Sequence, residues 1–362
     1  MLSPREAVRT MPSYHPPLAG REGLRLDFNE NTSGCSPRVL EQLRRLTNEQ
    51  LAKYPERAPV EACVADFLKV SSNEILLTNG VDEAIHLLCQ TYIEPGDEAL
   101  IVVPTYAMYR IYASAAAAKV IVVPAGRDFE FPIREVMARL TPRTRLVAIA
   151  NPNNPTGTVV SRKDLIHITR AAPDAAVLVD EAYFEFYGQT ALGTGDGLPN
   201  LFVARTFSKA YGLAGLRVGA LVGEAEQMQS IRSVASPYNV NAVALACLPQ
   251  ALADQDYIRE YVGEVKESRA RLESALAAYG VQFWPSQANF VLARIGACAA
   301  DAARFVERMR RGGILVRDRS SDHGCAGCVR ITLGPRRHGD LLLDALQSAF
   351  EELGIAQGVA RP

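Results

Sequence analysis

One lysine of the chain, Lys209, lies in a stretch whose residue types suit covalent chemistry on a phosphorylated ligand. The stretch spans residues 206–219 and combines the hydroxyls of Thr206 and Ser208 with three glycines and Arg217. Hydroxyl and guanidinium groups bind phosphate well, and desolvation among small, apolar neighbours lowers the pKa of a lysine and makes its amine a nucleophile. A lysine beside a phosphate site is what a Schiff base with pyridoxal phosphate requires. The alternative is a surface lysine near a glycine turn, which is the commoner situation for a single lysine.

A second place for an anion is predicted where an apolar run meets a helix. Residues 75–78 are typical of a short strand, and a turn at Gly80 follows them. A helical pattern then begins at Val81 and Asp82. The first turn of a helix has free N–H groups, which bind phosphate. Because every α/β unit contains such a junction, it indicates a phosphate site only in combination with Lys209.

Two further apolar runs end in residues that suit a planar, phosphorylated cofactor. After the run that ends at Ala150 comes a loop of asparagines and prolines, in which Asn154 has an amide suited to a phenolate oxygen. Another run ends in Asp180, a carboxylate that can keep a pyridine nitrogen protonated, and Tyr183 follows within reach of the same ring. The alternatives are an ordinary turn around Asn154 and a helix N-cap at Asp180.

An aromatic residue and two arginines complete the set of candidates. Tyr106 follows the apolar run that ends at Val103, where it either stacks on a planar ligand or belongs to the core. Arg330 is the one charged residue within the apolar run 328–333, and Arg317 lies near the end of the neighbouring predicted strand. A guanidinium in such a place binds a carboxylate or phosphate through two hydrogen bonds, unless it forms a buried structural salt bridge.

The composition excludes several classes of protein. The chain has 362 residues and a formal net charge of -1, so it lacks the basic surface of a protein that binds nucleic acid or membranes. No apolar run reaches the roughly 20 residues that a bilayer requires, and the start of the chain shows no signal peptide. Seven scattered cysteines indicate a reducing, cytoplasmic setting. Cys325 and Cys328 lack the second pair that a zinc site needs, so we predict no metal.

The candidates require an architecture that brings the ends of several strands together. Short apolar runs alternate with helical segments through most of the chain, which predicts an α/β domain with a mainly parallel sheet covered on both faces. In such a sheet the site lies at the carboxyl ends of the strands, where most of the candidates fall. An alternating pattern over residues 26–31 predicts another short strand, and residues 242–278 form a long helical stretch before a smaller α+β domain.

Taken together, these motifs resemble those of the class I and II aminotransferases of fold type I, which depend on pyridoxal phosphate. The order along the chain is the same: phosphate turn, stacking aromatic, asparagine loop, aspartate strand, lysine and arginine. The resemblance runs from Tyr14 to Gly334 and implies an aspartate aminotransferase-like fold, with a mainly parallel, seven-stranded sheet in the large domain and a smaller α+β domain. The expected boundaries are 1–34 for an N-terminal arm and part of the small domain, 35–245 for the large cofactor-binding domain and 246–362 for the small C-terminal domain.

The resemblance also implies a role for each matching residue. Lys209 forms the Schiff base and carries the proton during catalysis, and Asp180 pairs with the pyridine nitrogen. Tyr183 and Asn154 bind the phenolic oxygen of the cofactor, and Tyr106 stacks over its ring. A further set holds the phosphate, namely the backbone of Val81 and Asp82, the hydroxyls of Thr206 and Ser208, and Arg217.

Other matches imply an assembly and a substrate class. Tyr54 resembles the tyrosine that reaches the phosphate of the other subunit's cofactor, which implies a homodimer with shared sites. Arg330 resembles the arginine that binds the substrate carboxylate. Within the family the motifs are most similar to those of histidinol-phosphate aminotransferases, in which Arg317 and Arg330 accept the substrate phosphate and an arm tyrosine, here Tyr14, binds substrate. The chain departs from that subfamily at Thr32, where proline is usual.

These resemblances predict amino transfer between L-histidinol phosphate and 2-oxoglutarate, which gives imidazole acetol phosphate and L-glutamate in histidine biosynthesis. Two other functions use the same lysine chemistry: amino transfer from aromatic amino acids, and decarboxylation of threonine phosphate by a lyase. The sequence leaves the choice open, because the residues around the substrate side chain lie in loops that the pattern does not place.

Overall fold

The computed structural model describes residues 2–9, 11, 20–193 and 197–355. Its helices are α1 Glu6–Arg9, α2 Pro37–Arg44, α3 Asn48–Ala52, α4 Ala58–Leu68, α5 Gly80–Tyr92, α6 Ala107–Ala115, α7 Ile133–Arg139, α8 Arg162–Ala171, α9 Phe184–Tyr187, α10 Ala225–Val234, α11 Ala242–Leu252, α12 Gln255–Ala278, α13 Ala299–Arg311 and α14 Arg336–Glu352. Its strands are β1 Leu24–Arg25, β2 Ile75–Thr78, β3 Glu98–Val103, β4 Lys119–Pro124, β5 Thr144–Ala150, β6 Ala176–Asp180, β7 Leu201–Thr206, β8 Gly219–Val222, β9 Gln282–Trp284, β10 Phe290–Arg294, β11 Ile314–Leu315, β12 Arg317–Asp318 and β13 Cys328–Thr332.

The larger of the sheets has seven strands in the order β2-β8-β7-β6-β5-β3-β4. All neighbouring pairs are parallel except those of β8, which runs antiparallel to both β2 and β7. Central strands such as β6 and β7 are buried along their whole length, as their nearly continuous apolar sequences require. The predicted α/β fold with a mainly parallel, seven-stranded sheet is confirmed.

Helices cover both faces of this sheet, and the side chains of β6 show how. Leu178 packs into one apolar core together with Leu88 of α5. Its neighbour Val177 points to the opposite face and joins a second core with Ile168 of α8. Because successive side chains of a strand alternate between faces, a strand between two helical layers must be apolar throughout.

The register of the sheet places several strand ends at one edge. Ala150 at the end of β5 lies opposite Asp180 at the end of β6, and Asp180 lies opposite Ala204 of β7. Gly219, the first residue of β8, pairs with the last residues of both β2 and β7. The loops that follow these strands therefore begin side by side, which is where α/β proteins place their ligands.

A second, antiparallel sheet has the order β12-β13-β10-β9, with α12 and α13 packed against it and α14 packed against these two helices. The N-terminal segment joins this part of the molecule, because β1 pairs in parallel with β11. The backbone N–H of Thr332 then donates to the carbonyl of Leu26 at 2.9 Å. None of the helices in the described part of the chain combines the length and apolar character needed to cross a membrane.

Two predicted elements differ from those observed. The strand predicted for residues 26–31 is wrong, because the strand is β1 and the backbone turns at Asn29, whose φ is 56°. Positive φ interrupts an extended strand, and hydrogen bonds of the Asn29 side chain hold it in this conformation. The helical stretch 242–278 consists of two helices, α11 and α12, which are separated at Ala253 and Asp254.

Candidate active site

Lys209 lies in the turn that follows β7, and its amine is held by the N-terminal segment. The Nζ atom donates a hydrogen bond to the carbonyl of Phe28 at 3.1 Å. Burial, with a smaller contribution from the positive charge of Arg330, lowers the pKa of the Lys209 amine to about 8. A sizeable fraction of the amine is therefore neutral and nucleophilic near physiological pH.

Asp180 ends β6 with a buried carboxylate that has two defined partners. The hydroxyl of Tyr109 donates to Oδ2 at 2.6 Å, and the backbone N–H of Ala182 donates to Oδ1 at 3.0 Å. Burial raises the pKa of Asp180 to about 6, while these hydrogen bonds oppose the rise because they stabilise the charged form. Tyr109 was not predicted as a site residue, although it follows Tyr106, the N-cap residue of α6, by three positions.

Tyr183 is tied to the N-terminal segment rather than to its own neighbours. The Asn29 side-chain amide donates to the Tyr183 hydroxyl at 2.8 Å. Asn29 also receives a hydrogen bond from Thr332 Oγ1 at 2.9 Å, and the ring of Tyr183 meets that of Phe290 edge to face, with 5.1 Å between centroids. In the sequence, Asn29 is only one position of the alternating pattern over residues 26–31. Its role in orienting Tyr183 depends on contacts between distant parts of the chain.

A candidate phosphate-binding end forms where α5 begins. The N-cap residue Asn79 makes no side-chain hydrogen bond to the first turn, so the turn at Val81 and Asp82 is not capped by that side chain. Arg217 approaches the same turn and donates from Nη2 to Asp82 Oδ2 at 3.2 Å. A Cβ atom added at Gly80, whose φ is 73°, would lie 2.7 Å from Arg217 Nη2. Glycine therefore allows the guanidinium and the helix start to come together.

The hydroxyl groups predicted for the phosphate lie at the end of β7, beside this helix start. Thr206 and Ser208 are buried, and the Ser208 N–H donates to Thr206 Oγ1 at 3.2 Å. The neighbouring strand comes close through Gly219, where an added Cβ would lie 3.1 Å from the carbonyl carbon of Gly80. Both sequence segments predicted to hold a phosphate thus meet at one place.

Glu61 supports this junction from behind and was missed in the sequence. Its buried carboxylate accepts the N–H of Leu77 in β2 at 2.9 Å. It also forms ion pairs with Arg57 at 2.9 Å and Arg232 at 3.1 Å. A charged residue on the inner side of an otherwise apolar helix was the available signal.

Tyr106 lies between the two ends of the site. Its hydroxyl donates to Asp82 Oδ1 at 2.7 Å, and its ring meets Tyr109 edge to face at 5.7 Å. Burial raises the pKa of the Tyr106 hydroxyl, so it remains a neutral donor. Tyr106 therefore lies between the helix start at Asp82 and the tyrosine that contacts Asp180.

The two predicted arginines lie on adjacent strands of the smaller sheet. Arg317 is directly opposite Arg330 in the register of β12 and β13. Arg330 is buried and donates from Nη1 to Asn154 Oδ1 at 2.6 Å and from Nη2 to the carbonyl of Asp27 at 2.5 Å. Burial lowers the pKa of Arg330 to about 10. The structure therefore joins Asn154 to the predicted substrate arginine, through the oxygen of its amide.

Two predicted site residues are not part of this cluster. The side chain of Tyr54 is 77% exposed, and its ring stacks on that of Tyr238 at 4.3 Å between centroids. Tyr14 lies outside the described residues. Among the residues that the structure describes, no group of three or more His, Cys, Asp or Glu side chains is arranged to hold a metal ion.

The residues present fit pyridoxal phosphate at each of its functional groups. A helix start with Arg217 suits the phosphate, and the buried carboxylate of Asp180 suits a pyridinium nitrogen. Lys209 provides an amine of lowered pKa to attach the aldehyde carbon. The hydroxyl of Tyr183 is held by Asn29 as a donor or acceptor for a phenolic oxygen.

Comparison with known proteins agrees with this chemistry. The profile of the family described as aminotransferase class I and II matches residues 21–346. Histidinol-phosphate aminotransferase from Paracoccus denitrificans is 40% identical over 322 residues, which are 88% of this chain and 87% of that protein. The corresponding protein of Dehalococcoides mccartyi is 35% identical, over 89% of both chains. The crystal structure of histidinol-phosphate aminotransferase from Sinorhizobium meliloti in complex with pyridoxal-5'-phosphate superimposes with a TM-score of 0.87 at 27% identity, over 96% of this chain and 97% of that one. The chain belongs to the class I and II aminotransferases, a family of pyridoxal phosphate-dependent enzymes.

Proposed function

We propose that this aminotransferase exchanges an amino group between L-histidinol phosphate and 2-oxoglutarate, giving imidazole acetol phosphate and L-glutamate. The observation that carries this proposal is the pairing of Arg317 with Arg330 across two strands. No carboxylate forms an ion pair with either guanidinium among the described residues, and the partners of Arg330 are an amide oxygen and a backbone carbonyl, so neither positive charge is neutralised by an ion pair. The relatives that bear the name of this activity cover most of the chain.

The cofactor supplies an electrophilic carbonyl carbon and a ring that accepts electrons, and the side chains around it supply position and proton transfer. Lys209, held by the carbonyl of Phe28, is the base and acid that moves the proton at the substrate Cα. Asp180, held in turn by Tyr109, keeps a negative charge at the ring nitrogen. Tyr183 and Asn154 fix the phenolic oxygen.

The remaining assignments follow from the phosphate-binding end of the site. The first turn of α5 at Val81 and Asp82 and the guanidinium of Arg217 hold the cofactor phosphate. The hydroxyls of Thr206 and Ser208 add two donors. Tyr106 covers the ring, because its hydroxyl is anchored at Asp82 and its ring lies against Tyr109.

Substrate recognition involves both arginines. In a ping-pong reaction the two substrates bind one after the other. The phosphate of histidinol phosphate and the carboxylate of glutamate therefore occupy the same site in turn. Arg330, which is the more buried of the pair, takes the carboxylate of glutamate and, with Arg317, the phosphate of histidinol phosphate. From the resemblance of its motif, we also assign Tyr14 to substrate binding.

The protein forms a homodimer in this proposal, with Tyr54 reaching the cofactor phosphate of the partner subunit. Tyr54 and Tyr238 present stacked rings that are 77% and 54% exposed, and Leu51, three residues before Tyr54, is 56% exposed. Such a cluster of exposed apolar side chains suits an interface with a second copy of the chain. We place the enzyme in the cytoplasm, since its seven cysteines are free thiols, the form that a reducing compartment maintains.

The proposal is tested with a panel of amino donors and 2-oxoglutarate, scored by glutamate formation. Histidinol phosphate is expected to be the best donor. Strong turnover of phenylalanine or tyrosine with none of histidinol phosphate would establish the aromatic activity instead. Release of carbon dioxide from threonine phosphate without amino transfer would identify a lyase.

A further inference from the structure

A third arginine belongs to the same face of the small sheet as Arg317 and Arg330. Arg319 follows Arg317 by two residues, and its N–H donates to the carbonyl of Cys328 at 2.9 Å, which continues the ladder between β12 and β13. Residues two apart on an extended segment point to the same face. Arg319 therefore lies on the face that carries Arg330, directly after the last residue of β12.

The charge of Arg319 reaches the interior of the site. After burial, the positive charge of Arg319 is the strongest influence that lowers the pKa of Arg330, ahead of the charge of Arg317. Burial raises the pKa of Tyr183, which we place at the phenolic oxygen of the cofactor, and the positive charge of Arg319 opposes this rise. Arg319 is thus close to both the substrate arginine and the cofactor end.

The positive charges of all three arginines act on one carboxylate, that of Asp322. Asp322 forms an ion pair with Arg319, and the two side chains are 22% and 15% exposed. Among the described residues, Arg319 Nε and Arg330 Nε are buried N–H groups without a hydrogen-bond acceptor. Buried donors normally have acceptors, so the cluster has the capacity for one more oxygen-rich anion than the chain itself supplies.

We propose that Arg319 determines specificity by leaving Asp322 to bind the phosphate monoester of the amino donor, and by returning to Asp322 when a carboxylate occupies the subsite. The proposal rests on the function proposed above and deepens it, because it names the residue that separates the two substrates by charge. A phosphate monoester carries a charge of about -1.5 to -2 at pH 7 and presents three oxygens, whereas a carboxylate carries one negative charge and two oxygens.

Arg319 needs a partner that it can leave and rejoin because the enzyme binds a phosphorylated substrate and glutamate in turn. With three free guanidinium groups and no carboxylate, the site would hold the phosphorylated donor well but would leave excess positive charge around glutamate. An aspartate three residues from Arg319, on the same turn, neutralises that charge whenever the smaller anion is bound. Arginine suits the exchange because its planar fork makes paired hydrogen bonds to either partner.

The test compares two donors in the Arg319→Gln variant of the cofactor-loaded enzyme. The value of kcat/KM for histidinol phosphate is expected to fall by about tenfold to a hundredfold, the loss that corresponds to one charge-assisted hydrogen bond. The value for glutamate is expected to change by less than about threefold, because Arg319 pairs with Asp322 in that complex. Arg319→Lys keeps the charge and should recover part of the loss. Arg304→Gln, which removes an exposed arginine of α13, is the matched control and should change neither value.

A binding measurement gives an independent readout. Inorganic phosphate is titrated calorimetrically into the cofactor-loaded enzyme, in which the cofactor fills its own phosphate site. Arg319→Gln should weaken phosphate binding by about tenfold or more, and Asp322→Asn should tighten it because Arg319 loses its competing partner.

Two results would overturn the proposal: equal losses of kcat/KM for both donors, or phosphate binding that Arg319→Gln leaves unchanged. Failure of this proposal can be distinguished from failure of the proposed function. If the wild-type enzyme turns over aromatic donors and not histidinol phosphate, the proposed function fails, while the phosphate titration still decides whether Arg319 binds phosphate.

Discussion

The hydroxyl of Tyr109 lies 2.6 Å from Oδ2 of Asp180 and donates a hydrogen bond to it inside the protein. Tyr109 is fully buried on α6, and Asp180 ends β6, so the contact joins a helix to the edge of the sheet that carries the site. The hydrogen bond favours the charged carboxylate against the cost of burial. Tyr109 thereby positions the carboxylate of Asp180, to which we assign the contact with the cofactor. We assign no cofactor contact to Tyr109 itself.

Replacement of Tyr109 by phenylalanine tests this role through pH. Loss of the hydrogen bond raises the pKa of Asp180 above its value of about 6, by about one pH unit. Since the ionised carboxylate binds the cofactor, affinity for pyridoxal phosphate should weaken most between pH 5 and 7 and recover toward pH 8. The dissociation constant across this range is the measurement. Tyr112→Phe on the same helix is the control, and a loss that is the same at every pH would contradict the assignment to Asp180.

Lys209 is expected to be indispensable. Lys209→Ala should abolish turnover and remove the lysine peptide that borohydride labels, whereas Lys163→Ala on the exposed side of α8 should do neither. Because burial lowers the pKa of Lys209 to about 8, the neutral amine predominates above that pH. The rate at which the apoenzyme takes up pyridoxal phosphate, followed by absorbance, should rise through pH 8 and then level. Activity retained without Lys209 would rule out its assigned role.

Gly80 is expected to control cofactor affinity through Arg217. An alanine Cβ would lie 2.7 Å from Arg217 Nη2 and would sit on a backbone with a φ of 73°. Gly80→Ala should therefore displace the guanidinium and weaken pyridoxal phosphate binding by about tenfold or more. Gly263→Ala, in the middle of α12 with nothing within 4 Å of the added carbon, is the matched control. It should leave the affinity unchanged and raise Tm slightly, because alanine is the better helix former by about 1 kcal/mol.

Arg317 is expected to matter more for the phosphorylated donor than for glutamate. Its guanidinium lies over the ring of Phe28 at 5.3 Å and opposite Arg330, so its removal should take one positive charge from the substrate site without disturbing Arg330. For Arg317→Ala we expect kcat/KM to fall about tenfold to a hundredfold with histidinol phosphate and less with glutamate. Steady-state kinetics with both donors are the check, and equal losses would count against the phosphate assignment.

The contribution of Tyr54 across a dimer interface is testable with mixed dimers. Tyr54→Ala and Lys209→Ala homodimers should each be impaired. In a mixed dimer, one of the two sites combines an intact Lys209 with the intact Tyr54 of the other subunit. Because random refolding makes about half of the dimers mixed, the mixture should recover about a quarter of the wild-type activity. If mixed dimers form, as shown by tagged pull-down, and activity does not return, Tyr54 acts elsewhere.

The strands of the large sheet were predictable because each is a short apolar run bounded by turn residues, and β2 begins and ends where the pattern placed it. The residues near their ends followed, since Lys209, Asp180 and Asn154 each lie within about five residues of the end of such a run. The domain boundaries at residues 34 and 245 stay predictions, and so do the roles of the individual site residues.

The contacts that support the site residues could not be predicted from the sequence because their partners are distant in the chain. Tyr109 is 71 residues from Asp180, and Asn29 is 154 residues from Tyr183. Propensity and spacing describe neighbours within one element and say nothing of such pairs. The strand predicted at 26–31 failed for the same reason, because long-range hydrogen bonds of Asn29 override its local alternation.

Phe28 contacts both the lysine and one of the arginines of the site, the first through its backbone and the second through its ring. Its carbonyl holds the Lys209 amine, and its ring lies under the guanidinium groups of Arg21 and Arg317. A displacement at either contact moves the other through a few covalent bonds. With the roles proposed for Lys209 and Arg317, a substitution that shifts Phe28 should change both the position of the amine and the binding of the substrate anion.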